Sequence, residues 1–355
     1  MPYGSINPDH IEFLMNDMSH WPGIRGPLFL CQDQEPVSLA TNVPIIANVC
    51  TNFAQGQQFI FVTTEKESDD VDAVQKMYNC PVVYYFHHLF AAHDWFRGVR
   101  YDSRLISPMN RQLKKKYISF NRLTSGKRAY RSLFINELIV RDVLDQGHVS
   151  FSKICPDGGD YEPHLRACDI PQGLIEETVN NISRAPEMRI DFVDQAIPNQ
   201  SFVLSAIEQT QESFVYVVTE TCYWERKHHL TEKIFKPIVS QMPFILVGPA
   251  HNLKYLREYG FQTFSRWFDE SYDDIEDPVQ RMEAIGQVLL DLGNRSFDDL
   301  KEILVDMIPV LEHNYNLFYS HQLLDRAWAE LTTNLELAFD PKKYDSIQSR
   351  ASSTR

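Results

Sequence analysis

Short apolar runs rich in Val, Ile, Phe and Tyr alternate along the chain with stretches whose apolar residues recur at helical spacing. This is the pattern of an α/β fold with parallel sheets. Leu28 to Cys31, Val43 to Val49, Phe59 to Thr63 and Pro81 to Phe86 are predicted as strands. Val71 to Tyr78 is predicted as a helix, with Asp69-Asp70 at its start. The run at 81–86 leads directly into an aromatic and histidine cluster, His87-His88-Leu89-Phe90-Ala91-Ala92-His93-Asp94-Trp95-Phe96.

Residues Ser103 to Lys116 are polar and basic, and the domain junction is expected there. Beyond it, Tyr117 to Phe120 opens a second set of strands, continued by His148 to Phe151, Phe214 to Thr219, Pro243 to Val247 and Phe261 to Phe264. Lys127 to Leu144 reads as an amphipathic helix with Gly147 as its C-terminal stop, and Cys155 to Gly173 as a loop. Thr231 to Gln241 and His251 to Tyr259 read as short helices, and 278–337 is almost wholly helical. The expected division is a first α/β domain over 1–110, a second over 111–315, helices over 316–341 crossing back to the first domain, and a disordered polar tail over 342–355.

Composition narrows the classes. The net charge of -14 disfavours duplex nucleic acid as a partner, because phosphate contacts need a basic face. The densest basic run, Lys114-Lys115-Lys116, is expected to be a solvated linker or strand edge. No apolar run is long enough to span a membrane, and the N-terminus lacks a signal-peptide pattern, so a cytoplasmic protein is expected. Six cysteines stand without C-x-x-C spacing; several sit at the ends of apolar strand-like runs and are read as small core residues, and none is assigned chemistry.

The most informative stretch is Phe214 to Gly248: a strand, Thr219-Glu220, a polar loop, Leu230-Thr231-Glu232-Lys233, a helix, and a strand ending at Gly248. In open α/β sheets, ligands sit at the C-terminal ends of strands, facing helix N-termini. Thr231 can cap such a helix and leave backbone N–H groups for an anion. Lys233 adds a charge suited to a pyrophosphate, and Glu232 can accept from the hydroxyls of a ribose. The bland alternative is an ordinary first turn of a surface helix.

Leu230-Thr231-Glu232-Lys233 followed by Pro243-Phe244-Ile245-Leu246-Val247-Gly248-Pro249 resembles the donor-binding signature of the alpha-1,3-fucosyltransferases. Upstream, Lys116-Tyr117-Ile118-Ser119-Phe120-Asn121 and then Arg128 resemble that family's strand ending in Ser-Asn and the arginine that opens its next helix. The resemblance covers roughly residues 112 to 270. Thr221 stands where the family has Asn after the glutamate, and Arg122 where it has a small residue. The resemblance implies a GT-B architecture, two Rossmann-like domains facing across a cleft with a helical C-terminal region. It also implies an inverting glycosyltransferase that uses a GDP-fucose-like donor. By position, Glu232 would hold the ribose, Lys233 and Arg128 the phosphates, and Glu220 would lie near the sugar. Arg131 and Lys127 compete with Arg128 for the phosphate role. The basic pair would do the work of a divalent cation, so no cofactor or metal is expected. Asp273-Asp274 and Asp69-Asp70 are read as solvated acids rather than a metal motif.

The first domain is expected to bind a carbohydrate or other hydroxyl acceptor and to supply the base. Glu35, in Asp33-Gln34-Glu35-Pro36, is the first candidate base and Asp94 the second, with His87, His88 and Trp95 as acceptor-side residues. The histidine spacing lacks acid or cysteine partners for a metal site. Two other readings stay open: a GT-B transferase glycosylating a modified nucleobase in DNA, and a non-catalytic nucleotide-sugar-binding protein.

Overall fold

The computed structural model describes residues 28–49, 59–155, 159–190 and 203–339. The N-terminal segment read for targeting, Pro156 to Gly158 of the 155–173 loop, and the 342–355 tail lie outside the described residues. In chain order the first elements are β1 (Leu28–Gln32), α1 (Leu39–Val49), β2 (Phe59–Thr63), α2 (Asp69–Tyr78), β3 (Val82–Tyr84) and α3 (His87–Phe96). Then come β4 (Lys115–Asn121), α4 (Tyr130–Val140), β5 (Gly147–Phe151), α5 (Tyr161–Arg166), α6 (Gln172–Arg184), α7 (Ile207–Gln211) and β6 (Ser213–Thr219). The chain continues through α8 (Glu232–Val239), β7 (Phe244–Val247), α9 (Asn252–Glu258), α10 (Pro278–Gly293), α11 (Phe297–Phe318) and α12 (His321–Phe339). The fold is α/β with parallel sheets and a helical C-terminal region. No helix among the described residues is long and apolar enough to cross a membrane.

The described residues form two compact units, 28–90 with 321–339, and 91–320. In the first, β1, β2 and β3 pair in parallel in that order. Alternate side chains of β2 face opposite ways, as strand geometry requires. Phe59 and Phe61 pack with Val37, Ile46, Val71 and Val74 of the α1 and α2 side. Ile60 and Val62 pack with Val83, Leu331, Leu335 and Ala338, so α12 covers the second face.

The second unit holds four parallel strands in the order β5-β4-β6-β7. All of β6 and β7 is buried, which explains their unbroken apolar sequence. The strand order reverses between β4 and β6: the chain steps from β4 outward to β5, then returns to the other side of β4. Such a switch point opens a crevice at the C-terminal ends of the strands.

Five sequence expectations change. Val43 to Val49 belongs to helix α1, not to a strand; Asn42 accepts from the Ser38 N–H at 2.7 Å at the helix start, and Pro44 is accommodated inside. A short apolar run fits either element, and here packing decided. The 127–144 helix is shorter, 130–140, and is buried from Tyr130 to Leu138 rather than amphipathic. Gly147 does not stop it but opens β5, where a Cβ would lie 2.2 Å from Cε2 of Tyr117. The 155–173 loop contains α5, capped by Asp160. Phe261 to Phe264 is no strand: the Gln262 N–H and carbonyl are each bonded at 2.8 Å by the Asn314 amide, and the Phe264 N–H by Glu270 at 2.6 Å. Side chains thus satisfy the backbone that a sheet would otherwise pair.

Candidate functional site

The residues singled out for the donor gather at the switch point. β6 ends at Thr219, whose hydroxyl donates to the Phe120 carbonyl of β4 at 3.0 Å. Glu220 follows and is fully buried. Its Oε1 accepts from the Thr231 N–H at 3.1 Å, and its Oε2 from the Thr231 hydroxyl at 2.6 Å and the Thr221 N–H at 3.3 Å. Burial pushes this carboxyl above the ordinary glutamate range, while the nearby Lys233 charge pulls the other way. Glu220 therefore fixes the entry to α8.

Thr231 caps α8, its hydroxyl accepting from the Lys233 N–H at 3.4 Å. Lys233 Nζ folds back over this turn, donating to Thr231 Oγ1 at 3.0 Å, Thr221 Oγ1 at 3.2 Å and Glu232 Oε1 at 3.2 Å. Its side chain remains 27% exposed, whereas that of Glu232 is 7% exposed. The arrangement is a helix N-terminus with a lysine ammonium above it, the physical form of an anion site.

The arginines divide their work. Arg131 is buried; its guanidinium donates to the carbonyls of Leu123 and Thr219 at 2.9 Å and of Glu220 at 3.3 Å. It ties the ends of β4 and β6 together and is not a solvated helix residue. Arg128 lies half-buried in a turn of 3-10 helix, Gly126–Ala129, ahead of α4. Its charge acts on Arg131, whose pKa burial already lowers. Lys127 pairs with Glu225 at 3.4 Å.

Beneath these groups lies a support that sequence reasoning missed. Tyr130 stacks on Tyr223 with ring centroids 4.5 Å apart, and its hydroxyl donates to the Glu220 carbonyl at 2.5 Å. Buried Arg281 donates to the carbonyls of Gly248, Tyr223, Ile275 and Glu276. An isolated arginine in a helical pattern carries no signal of such a role. Asp273 is also buried rather than solvated: it accepts from the Leu253 and Lys254 N–H groups at 3.0 and 3.1 Å, at the start of α9. Asp69 and Asp70 do lie in the first turn of α2, behind the Ser68 cap. The basic run is spent on structure: Lys114 pairs with Glu212, and Lys115 and Lys116 donate to the carbonyls of Asp145 and Arg295. Lys116 is buried, not solvated.

The candidate bases and acceptor-side residues fall in the turn after β1 and on α3. Glu35 is half-buried in the turn after β1, where its carbonyl accepts from Gln32 Nε2 at 2.8 Å. Asp94 is exposed and paired with Arg97 at 2.8 Å. His88 is buried, Trp95 half-buried and Phe96 fully buried. His87 is half-buried and bonded to Tyr85. The structure brings Glu220, Glu232 and Lys233 together; Arg128 stands close enough to Arg131 for the two like charges to repel. No known protein family, curated protein or solved structure matches the chain.

Proposed function

We propose that the chain is an inverting glycosyltransferase of the GT-B type, moving a sugar from a nucleotide diphosphate sugar to a hydroxyl acceptor. The observation that carries this reading is where the fucosyltransferase-like motif falls: Glu220, the Thr231 cap and Lys233 line the switch point of a parallel sheet. A diphosphate leaving group gains negative charge as the glycosidic bond breaks. The α8 N-terminus, Lys233 and Arg128 supply positive charge for it. Glu232 is an acceptor for the donor's ribose hydroxyls.

Calorimetric titration of the full chain with GDP and UDP tests the reading. Lys233→Ala should weaken nucleotide binding about 10- to 150-fold, the equivalent of losing one charged hydrogen bond worth about 1.5–3 kcal/mol. Equal affinity in the variant would remove Lys233 from the site. Binding of neither nucleotide by the parent chain would overturn the reading.

A further inference from the structure

At the C-terminal edge of the three-stranded sheet, three side chains from two separate parts of the sequence meet. Asp33 is one residue past β1, Tyr85 is one residue past β3, and His87 opens α3. Tyr85 Oη donates to Asp33 Oδ2 and lies 2.9 Å from His87 Nδ1; Nδ1 is 3.6 Å from the same carboxylate oxygen. A phenol has one proton. With that proton on Asp33, the phenol oxygen accepts from Nδ1–H, and the imidazole lone pair is left on Nε2. Among the described residues nothing bonds to Nε2.

The surroundings keep these states. Burial pushes the Tyr85 phenol well above its usual range, helped by its bond to Asp33, so it stays protonated. Burial also lowers the pKa of His87, against the opposing pull of Asp33, so the imidazole is neutral at pH 7. Beside this array runs a row of rings. Phe90 lies 6.4 Å from the Tyr85 ring and 6.0 Å from Trp328 of α12. Trp328 is 62% exposed, an unusual position for an indole that a ring neighbour already orients. His87 and Phe90 are three residues apart on α3, so they share a face of that helix, and an imidazole with an unbonded Nε2 beside partly exposed rings suits a ligand with the same division: a pyranose, with a C–H face and hydroxyl edges.

We propose that this is the acceptor site, where a pyranose stacks on Trp328 and Phe90 and passes a hydroxyl proton to His87 Nε2. The inference rests on the glycosyl-transfer reading for its donor. In the step, the acceptor oxygen bonds to the anomeric carbon of the donor. The bond from that carbon to the diphosphate oxygen breaks, its electron pair leaves with the nucleotide diphosphate, and the hydroxyl proton goes to Nε2. His87 is the catalytic base in place of Glu35 and Asp94. Tyr85 and Asp33 are positioning residues that hold its tautomer.

Saturation-transfer NMR on the full chain, with methyl β-D-glucopyranoside, methyl β-D-galactopyranoside and methyl α-D-mannopyranoside as probes, tests the site alongside the GDP and UDP titrations. At least one pyranoside should receive saturation at its ring C–H protons. Trp328→Ala should weaken that binding about tenfold, and Trp328→Phe should restore most of it. Imidazole 15N spectra should show neutral His87 with its proton on Nδ1, shifting toward Nε2 in Tyr85→Phe. With an accepted pyranoside and a donor sugar of the bound nucleotide, His87→Gln should cut kcat about a hundredfold or more and leave nucleotide affinity unchanged. Nucleotide binding without pyranoside saturation, or saturation indifferent to Trp328→Ala, would overturn the acceptor site and leave the donor reading standing. Pyranoside binding without nucleotide binding would support a pyranose site and overturn its role in transfer. A neutral His87 protonated on Nε2 in the parent chain would overturn its assignment as base.

Discussion

Replacing Glu220 with Gln keeps its shape and removes one acceptor oxygen. The carboxylate accepts three bonds, from the Thr231 N–H, the Thr231 hydroxyl and the Thr221 N–H. An amide has one oxygen and cannot serve both ends. If that oxygen faces the Thr231 N–H, the NH2 group opposes the Thr221 N–H; if the amide is flipped, the Thr231 N–H is opposed instead. Either way one buried backbone donor loses its partner, at about 1–3 kcal/mol, and the remaining bonds lose charge assistance worth about 1 kcal/mol. Relief of the buried charge offsets part of this. The net loss should be about 2–3 kcal/mol. Native-state hydrogen exchange at the Thr221 and Thr231 amides reads the effect where it arises: at least one should exchange about 30-fold faster or more, since each 1.4 kcal/mol is about tenfold. A change under threefold at both amides would show that Glu220 is already protonated at neutral pH, and that its carboxylate is not what holds the start of α8.

Gly147→Ala should destabilise the second unit by about 2–4 kcal/mol, because the new methyl meets a buried Tyr117 ring whose hydroxyl bonds the Val143 carbonyl at 2.9 Å. Urea unfolding should show the drop in midpoint, and adding Tyr117→Leu should recover part of it relative to the sum of the single changes. Glu35→Gln and Asp94→Asn should each leave kcat for transfer within about threefold of the parent, since Asp94 is exposed and paired with Arg97. A loss of about a hundredfold in either variant would return the base to that residue.

The strands that carry the fucosyltransferase-like motif were legible because strands buried on both faces are written as continuous apolar runs, as at 214–219 and 244–247. The Thr231 cap was legible for the same local reason: capping chemistry is confined to a few adjacent residues. Contacts made by topology were not. Tyr85 reads as one more aromatic in a strand, and only the parallel pairing of β1, β2 and β3 sets it beside Asp33. Trp328 carries no signal in its helical region, and only the packing of α12 against β3 sets it beside Phe90. The 261–264 segment shows the limit from the other side. Its buried aromatics imitate a strand, yet Asn314 and Glu270 satisfy its backbone from residues downstream.

Because α12 covers one face of the first sheet, that unit is written in two instalments. The 230 residues from 91 to 320 lie between them. At about 5–20 residues per second on a ribosome, roughly 10–50 s separate the synthesis of Phe90 from that of His321. During that interval Ile60, Val62 and Val83 have no Leu331, Leu335 or Ala338 to meet. The unit begun second is thus the one that can be finished first. The unit begun first keeps one bare apolar face until α12 has been made.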